Sequence, residues 1–280
     1  MNSECFDLIL QFKERLYRAC ESNDVDEVKE ILKNIVPIYD EIKSFSCYST
    51  MENFAFINAI VKSFTQACAF GHLSTVKLFV ESDDLEKVKK NNPFSEQRLG
   101  YYNNEALVAA TQSGYIEIIK YLCDTRLKNH LSFYLEAANL LKIACKEGQL
   151  NVVKYLFNDP VVSPIIKSLF NKEDFCQSLE KACDNGHLEI VKYLLTSNDL
   201  EYKANVHIDN DAPFSMATAP GSEHILEYLI FDYSIEITKN IQEIAEKKPF
   251  VKNLIEMREL NKDLNKNFQA NNLKQKKVKI

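Results

Sequence analysis

A short segment that recurs along the chain constrains its fold more than any other feature. The clearest copy reads "KACDNGHLEIVKYLL". Six copies can be aligned, the first and the last being the weakest, at 18–32, 66–80, 109–123, 143–157, 181–195 and 216–230. The motif is fixed while the spacing between copies varies. This pattern indicates a structural unit that is repeated with insertions between its copies.

The glycines support this interpretation. The chain has six glycines, and five of them occupy one position of the segment: Gly71, Gly114, Gly148, Gly186 and Gly221. The first copy has Asn23 there, and asparagine also adopts left-handed backbone angles readily. We therefore expect each copy to be a helix that ends in a left-handed residue and turns at once into a second helix. A phosphate-binding loop would instead cluster its glycines locally.

The remaining positions of the segment predict a pair of packed helices. In 188–195 the apolar residues fall on one side of a helical wheel, with Glu189 and Lys192 on the other. An alanine recurs four places before the glycine position. It predicts that helices of neighbouring repeats approach closely at Ala19, Ala67, Ala110, Ala144, Ala182 and Ala217.

The stretch "LEKACDNGHLEIVKYLL" at 179–195 resembles the ankyrin-repeat pattern L-x-x-A-A-x-x-G-H-L-E-I-V-K-x-L-L. The resemblance implies an all-α fold, an α-solenoid of stacked antiparallel helix pairs over roughly 16–230. The T-P-L-H start of the family's first helix is absent from every copy. We therefore expect irregular loops in place of regular β-hairpin fingers, at 82–104, 158–172 and 196–213.

The chain outside the repeats predicts further helices. We expect a single ankyrin-like domain over 1–264, beginning with a helix at 3–22 and ending with two capping helices, of which the second starts at Pro249. Within the array, 51–71 and 131–148 are expected to form long first helices. Residues 265–280 hold five lysines and no acid, which is typical of a flexible basic tail.

Composition limits the classes of function. With 34 basic and 40 acidic residues the net charge is -6, which argues against a nucleic-acid binder. No apolar run is long enough to span a membrane, and the start of the chain does not resemble a signal peptide. We therefore expect a monomeric, cytoplasmic protein that uses no membrane, cofactor or metal. Its eight cysteines form no C-x-x-C pair and are expected to be reduced and buried.

The histidines and cysteines show no catalytic pattern. His72 and His187 follow the repeat glycine, where each imidazole is expected to hydrogen-bond near the start of the second helix. A metal or acid–base role was considered for His207 beside Asp209 and Asp211, but a solvated acidic loop explains these residues more simply. Four cysteines follow the repeat alanine and are expected in the core: Cys20, Cys68, Cys145 and Cys183.

The ankyrin resemblance implies a non-enzymatic protein-binding module, an adaptor or inhibitor that binds a folded partner through its concave face. The two residues before the repeat glycine usually face that surface, and here they vary in type. The candidate partner-binding residues are Glu21, Ser22, Ala69, Phe70, Gln112, Ser113, Lys146, Glu147, Asp184 and Asn185. The sixth copy adds Ala219 and Pro220. Phe70 is the large apolar residue of the set and the preferred anchor.

Two alternatives stay open at this level. The first is an enzyme or small-ligand binder built from the insertions, such as 196–213. The second is a polyanion binder that uses the basic tail and a lysine ladder on the second helices, at Lys29, Lys77, Lys120, Lys154 and Lys192. The chain is rich in asparagine, lysine and isoleucine and has no tryptophan. This composition is similar to that of ankyrin proteins from AT-rich genomes, including large viruses and intracellular bacteria, and is compatible with an effector in a host cytosol.

Overall fold

A computed structural model describes residues 3–45, 50–90, 95–126, 132–169, 172–200 and 203–277. Within these ranges the regular secondary structure is helical, and they contain no strand. The all-α prediction is confirmed, and no β-hairpin finger occurs in the described residues. The chain divides into two compact units, one of Met1–Ala144 with Asn151–Leu169 and one of Cys145–Leu150 with Phe170–Ile280.

The first unit is a series of helix pairs with additional helices between them. Its helices, including most of α9 and α10, are α1 (Ser3–Glu21), α2 (Val25–Lys33), α3 (Ile35–Ser44), α4 (Thr50–Ala69), α5 (Leu73–Glu81), α6 (Asp83–Lys90), α7 (Ser95–Ser113), α8 (Ile116–Arg126), α9 (Ser132–Lys146), α10 (Leu150–Asn158) and α11 (Val162–Leu169). Helices α1, α4 and α7 each pack against the next helix in the chain, which is α2, α5 and α8 respectively. Helix α4 also packs between α1 and α7. We call α1, α4 and α7 the inner helices.

The inner helices are long, as predicted for α4, and α9, also predicted to be long, spans 15 residues. Helix α4 spans 20 residues because its apolar side chains continue the core well before the repeat motif begins. Phe56 is fully buried, with its ring centroid 4.7 Å from that of Phe12 on α1 and 5.5 Å from that of Tyr39 on α3. Aromatic contacts of this kind stabilise a core beyond the area they bury. The part of α4 that precedes the repeat motif therefore belongs to the packed core of the unit.

The prediction of irregular loops at 82–104 and 158–172 is wrong for most of these residues. Helix α6 and the start of α7 fill the first insertion, and α11 fills most of the second. Leu85 and Val88 are 4% and 1% exposed, and Val162 and Ile166 are fully buried. Because these pairs are spaced three and four residues apart, each places one apolar face of a short helix on the core.

The second unit continues the pairing of helices. It contains α12 (Lys172–Asp184), α13 (Leu188–Thr196), α14 (Ile208–Met216), α15 (Glu223–Glu227), a π-helical turn (Tyr228–Asp232), α16 (Lys239–Lys247) and α17 (Pro249–Lys277). Helix α12 packs on α13 and α14, α14 packs on α16, and α16 packs on α17. Pro249 begins α17 as predicted, and residues 265–277 of the basic segment lie within this helix. The loop predicted at 196–213 ends at Ile208, where α14 begins.

The turns at the repeat glycines share one geometry. Gly71, Gly114, Gly148, Gly186 and Gly221 have φ between 75° and 91°, and Asn23 has φ 55°. In the second copy the His72 amide donates to the Ala67 carbonyl at 2.9 Å, and the equivalent bond from His187 to Ala182 is also 2.9 Å. This is the bond that closes a helix ending in a left-handed residue. The central prediction, a reversal at each glycine position, is confirmed.

The small residues of the motif lie where neighbouring repeats meet. Ala67, Ala110, Ala144, Ala182 and Ala217 are fully buried and Ala19 is 4% exposed. The cysteines that follow four of these alanines are also fully buried: Cys20, Cys68, Cys145 and Cys183. These positions therefore belong to the core, as the sequence predicts.

Candidate protein-binding surface

The predicted turn residues of the first unit lie at the surface. Glu21, Ser22, Gln112 and Ser113 are exposed, while Ala69 is half-buried. Phe70 is 46% exposed, and its ring centroid lies 5.9 Å from that of His72. Phe70 is thus an apolar ring held on one side by the scaffold and accessible on the other.

The turn residues of the second unit are also exposed and carry charge. Lys146, Glu147, Asp184 and Asn185 are all accessible. The Lys146 ammonium lies 3.1 Å from the Glu147 carboxylate, and the Asn185 amide donates to the Lys181 carbonyl at 2.9 Å. Of the sixth copy, Ala219 is half-buried and Pro220 is exposed. This surface is polar, in contrast to Phe70 in the first unit.

Helix α1 carries exposed apolar side chains that sequence reasoning missed. Phe6, Leu10 and Tyr17 are 43%, 38% and 41% exposed and lie within about 40° of one another on the helix. Arg15, on the opposite side of the helix, pairs with Glu27 and with Glu30 of α2, the latter at 3.2 Å. The three apolar residues therefore face away from the second helix of their own pair.

Helix α4 continues this apolar surface. Met51 and Phe54 are 74% and 41% exposed, and Phe54 occupies the same position in its repeat as Phe6 does in the first. Helices α1 and α4 are packed neighbours, so their exposed sides adjoin. We define the inner apolar stripe as Phe6, Leu10, Tyr17, Met51 and Phe54. The sequence of α1 does contain this pattern, because Phe6, Leu10 and Tyr17 recur at helical spacing on a different side of the helix from its core residues.

Three of the turns are also bound through a histidine to the turn of the repeat before them. The His72 Nδ1 lies 2.8 Å from the Cys20 carbonyl, and the His187 Nε2 lies 2.8 Å from the Lys146 carbonyl. His224 repeats the contact on the Gly186 carbonyl at 3.0 Å. The imidazoles were expected to bond near the start of their own second helix, and neither His72 nor His187 makes a side-chain bond to that helix. They connect neighbouring repeats instead, since the free carbonyls lie at the preceding turn.

Comparison with known proteins agrees with this geometry. Residues 64–164 match the family model of ankyrin repeats, in three copies. This segment of the chain is similar to ankyrin repeats. The chain matches no curated protein and no solved structure. The matched ankyrin segment contains the copies at 66–80, 109–123 and 143–157, and the remaining copies share their turn geometry. Ankyrin repeats serve generally as protein–protein interaction modules.

The cysteines that follow the repeat alanines are not placed for nucleophilic chemistry. Burial raises the pKa of the Cys20 thiol to about 12, and burial likewise raises the pKa of Cys145 and Cys183. A nucleophilic cysteine needs the opposite shift, toward thiolate at neutral pH. Cys47 lies outside the described residues.

Two lysines of the predicted ladder pair with a carboxylate on their own helix, Lys120 with Glu117 at 2.9 Å and Lys192 with Glu189. Lys192 lies 2.8 Å from Glu189 and 5.7 Å from the centroid of the Tyr228 ring in the next repeat. In the first unit Lys77 lies over the ring of Tyr121 at 5.6 Å. Lysines that are paired with carboxylates and packed on rings form a poor surface for a polyanion. These contacts stabilise the stacking of neighbouring repeats.

The cluster at His207 is a buried structural network. The His207 Nδ1 lies 2.6 Å from Asp211, and the second oxygen of this carboxylate accepts a hydrogen bond from Thr238. Asp209 to Asp211 adopt left-handed angles with φ from 48° to 61°, and the amide of Asn240 donates to the Asn210 carbonyl. The prediction of a solvated loop is wrong for Asp211, which is 3% exposed, whereas Asp209 is exposed as predicted.

The described residues place no three histidine, cysteine or acidic side chains together as a metal site. Nor does any described helix combine the length and the apolar character that crossing a membrane requires.

Proposed function

We propose that this chain is a non-enzymatic adaptor or inhibitor that binds a folded protein partner through its inner helices and the adjoining turns. The observation that carries the proposal is the inner apolar stripe. Its aromatic side chains are about two-fifths exposed although the core beneath them is closely packed. Exposed apolar groups that adjoin one another, with polar residues around them, are typical of a protein-binding surface.

The chemistry of the stripe suits recognition. Aromatic residues and methionine are enriched in the centres of protein interfaces because they bury a large area with few rotatable bonds. Phe6 and Phe54 would form the apolar centre of the interface. Charged residues at its edge, such as Lys13, Glu21 and Lys62, would set the orientation of the partner.

Exposed turn residues of each unit would add contacts of their own. Phe70 adds a further apolar contact in the first unit, whereas Lys146, Glu147, Asp184 and Asn185 offer charged and amide groups in the second. We expect these residues to contribute specificity and the stripe to contribute most of the affinity. The composition supports a role as a host-targeted effector in a cytosolic compartment, by its similarity to ankyrin proteins of AT-rich genomes.

The proposal is tested by affinity capture from the native cell with quantitative mass spectrometry. Wild-type chain is compared with the double variant Phe6→Ala/Phe54→Ala. The control is Phe250→Ala, which removes a ring of similar exposure (44%) from α17 of the second unit. We expect the stripe variant to lose a defined partner that both the wild type and the control retain, with the melting temperature unchanged. Equal recovery of every partner by all three proteins would refute the proposed surface.

A further inference from the structure

A row of carboxylates lies beside the inner apolar stripe on helix α1. Asp7, Glu14 and Glu21 are all exposed and follow one another at intervals of seven residues. Because seven residues make almost two helical turns, the three side chains fall within about 40° of one another along one edge of the stripe. Glu14 lies 3.6 Å from Arg18, whereas Asp7 and Glu21 pair with no cation in the part of the chain that the structure describes. The stripe therefore has an acidic border in which two of the three charges are unpaired.

The exposed side chains of the stripe on α1 have the spacing of a helix-pairing seam. Three of the four seam residues are apolar, at Phe6, Leu10 and Tyr17, and Lys13 takes the remaining position. Steps of four, three and four residues separate them, which is the spacing of positions a and d in a coiled coil. The acidic row then occupies position e, where charged residues select the partner helix. Lys13 lies on the other edge of the seam and forms no ion pair with the row.

The interval along the acidic row favours a helical partner. Successive carboxylates are about 10.5 Å apart along α1, and residues seven apart on a partner helix have the same spacing. An extended strand places the side chains of one face about 6.8 Å apart. The distances available to a strand are therefore about 6.8 and 13.6 Å, and neither matches the row. A helix laid along α1 brings one of its own side chains to each of the three carboxylates.

We propose that α1 pairs with a helix of the partner protein that has an apolar side bordered by lysine or arginine. This inference rests on the proposed function and names the chemistry of the partner at the inner apolar stripe. Apolar residues of the partner helix cover Phe6, Leu10 and Tyr17, and basic residues seven apart face the acidic row. Ion pairs beside an apolar seam determine which helices pair and in which orientation.

Two other occupants fit this surface less well. A second copy of α1 in antiparallel orientation would place the acidic row against itself, and like charges in contact oppose association. In parallel orientation the row would face position g of the second copy, where Ile9 and Leu16 are buried in the core of their own unit. An anionic membrane or a nucleic acid would be repelled by the three carboxylates.

Isothermal titration calorimetry of the full chain with a synthetic peptide tests the proposal. The lysine peptide is about three heptads long, with leucine at positions a and d, lysine at e and g, and alanine elsewhere. A second peptide has glutamate in place of every lysine. We expect the lysine peptide to bind at least about tenfold more tightly than the glutamate peptide at about 0.1 M salt. Equal binding of the two peptides, or binding of neither, would overturn the proposal.

Charge variants of the chain locate the contact. Asp7→Asn/Glu21→Gln should weaken binding of the lysine peptide at least about tenfold. The matched control, Glu4→Gln/Asp26→Asn, removes the same charge from exposed positions outside the row and should bind like the wild type. Because the whole chain has a net charge of -6, equal weakening in the two variants would indicate general attraction and would contradict a contact at the row.

A proline variant of the lysine peptide tests whether the bound segment is helical. Proline in place of a central alanine breaks the helix without changing the charge of the peptide. We expect this peptide to bind at least about tenfold more weakly. Undiminished binding would show that the segment binds in another conformation, against the proposal.

The native partner separates this inference from the proposed function. If Phe6→Ala/Phe54→Ala loses the captured partner and Asp7→Asn/Glu21→Gln retains it, the stripe is an interface for a partner of different chemistry, and only the basic helix is refuted. If both variants lose the same partner, both proposals are supported. Retention of every partner by Phe6→Ala/Phe54→Ala would refute the proposed function itself.

Discussion

The ring of Tyr115 lies over the turn at Gly71, so closely that a Cβ at Gly71 would come 2.4 Å from Tyr115 Cε1. Tyr115 follows the glycine of the next repeat and has the position that His72 and His187 have in theirs. At Gly148 the same role is taken by the His187 ring, which would lie 2.7 Å from an added Cβ. Glycine therefore has two roles at Gly71 and Gly148: it allows the left-handed backbone angle, and it leaves room for the ring that covers the turn.

Gly71→Ala should destabilise the first unit strongly. An alanine at φ 81° costs about 1–2 kcal/mol, and the contact with Tyr115 adds overpacking of about 1–3 kcal/mol. Urea unfolding followed by circular dichroism measures the change. Gly221→Ala is the matched control, because Gly221 has φ 91° but no atom within 4 Å of an added Cβ. If the two variants lose the same stability, the ring contact contributes nothing.

Ala182→Leu should destabilise by about 1–3 kcal/mol. Ala182 is fully buried between helices, so a larger side chain must displace its neighbours. Ala69→Leu, at a half-buried turn position, should change the free energy of unfolding by less than about 0.5 kcal/mol. Denaturant midpoints of both variants and the wild type test the difference, and a neutral Ala182→Leu would contradict close helix approach.

Stability should fall at alkaline pH because thiols are buried. The pKa of Cys20 is raised from 9.0 to about 12, so the unfolded chain loses this proton at lower pH than the folded chain. The contribution of the Cys20 thiol to the free energy of unfolding is complete below pH 9. It is lost by about 1.4 kcal/mol per pH unit as the pH rises toward the pKa of this thiol in the folded chain.

Cys20→Ala isolates this contribution. The free energy of unfolding of the wild type relative to this variant should be constant from pH 7 to 8 and should decrease above pH 9. Urea titrations at each pH provide the comparison. Parallel pH profiles would mean that the Cys20 thiol does not differ in pKa between the folded and unfolded chain.

His187→Ala should cost about 1 kcal/mol, the usual net contribution of a hydrogen bond. Its acceptor is the main-chain carbonyl of Lys146, so Lys146→Ala should leave that bond and the stability nearly unchanged. Thermal unfolding of the two variants distinguishes the roles. A loss in Lys146→Ala as large as in His187→Ala would show that the lysine side chain is needed for the contact.

Phe70→Ala and Lys146→Glu, made separately, should each weaken capture of the native partner without lowering the melting temperature. Both side chains are exposed, so their replacement affects the surface and leaves the core intact. Pull-down with the identified partner, alongside differential scanning fluorimetry, provides the test. Unchanged binding by either variant would remove its turn residue from the proposed interface.

The repeat architecture could be predicted because its determinants are local. A left-handed angle at Gly186 and a small side chain at Ala182 are required by the backbone of one helix pair, whatever surrounds it. The same reasoning placed Pro249 at the start of α17. Periodicity therefore identified the paired helices, their turns and their buried residues.

The helices of the insertions and the binding surface could not be predicted, because both depend on contacts with residues that are distant in the chain. Two apolar residues, Leu85 and Val88, are too few to distinguish a short helix from a loop in the sequence. The helix becomes evident only when α3 is known to pack against α6. Phe6 and Phe54 are far apart in the chain, and only the packing of α1 on α4 makes them neighbours. The acceptor of His187 likewise lies in another repeat, so local capping rules assigned its bond wrongly.

Lys146 shows how scaffold and surface are separated at a single residue. Its carbonyl oxygen holds the next repeat in place, while its side chain extends into solvent. Any amino acid with an ordinary backbone would supply the same oxygen. The chain is therefore free to exchange side chains at such turn positions and acquire a new binding preference while its architecture is preserved.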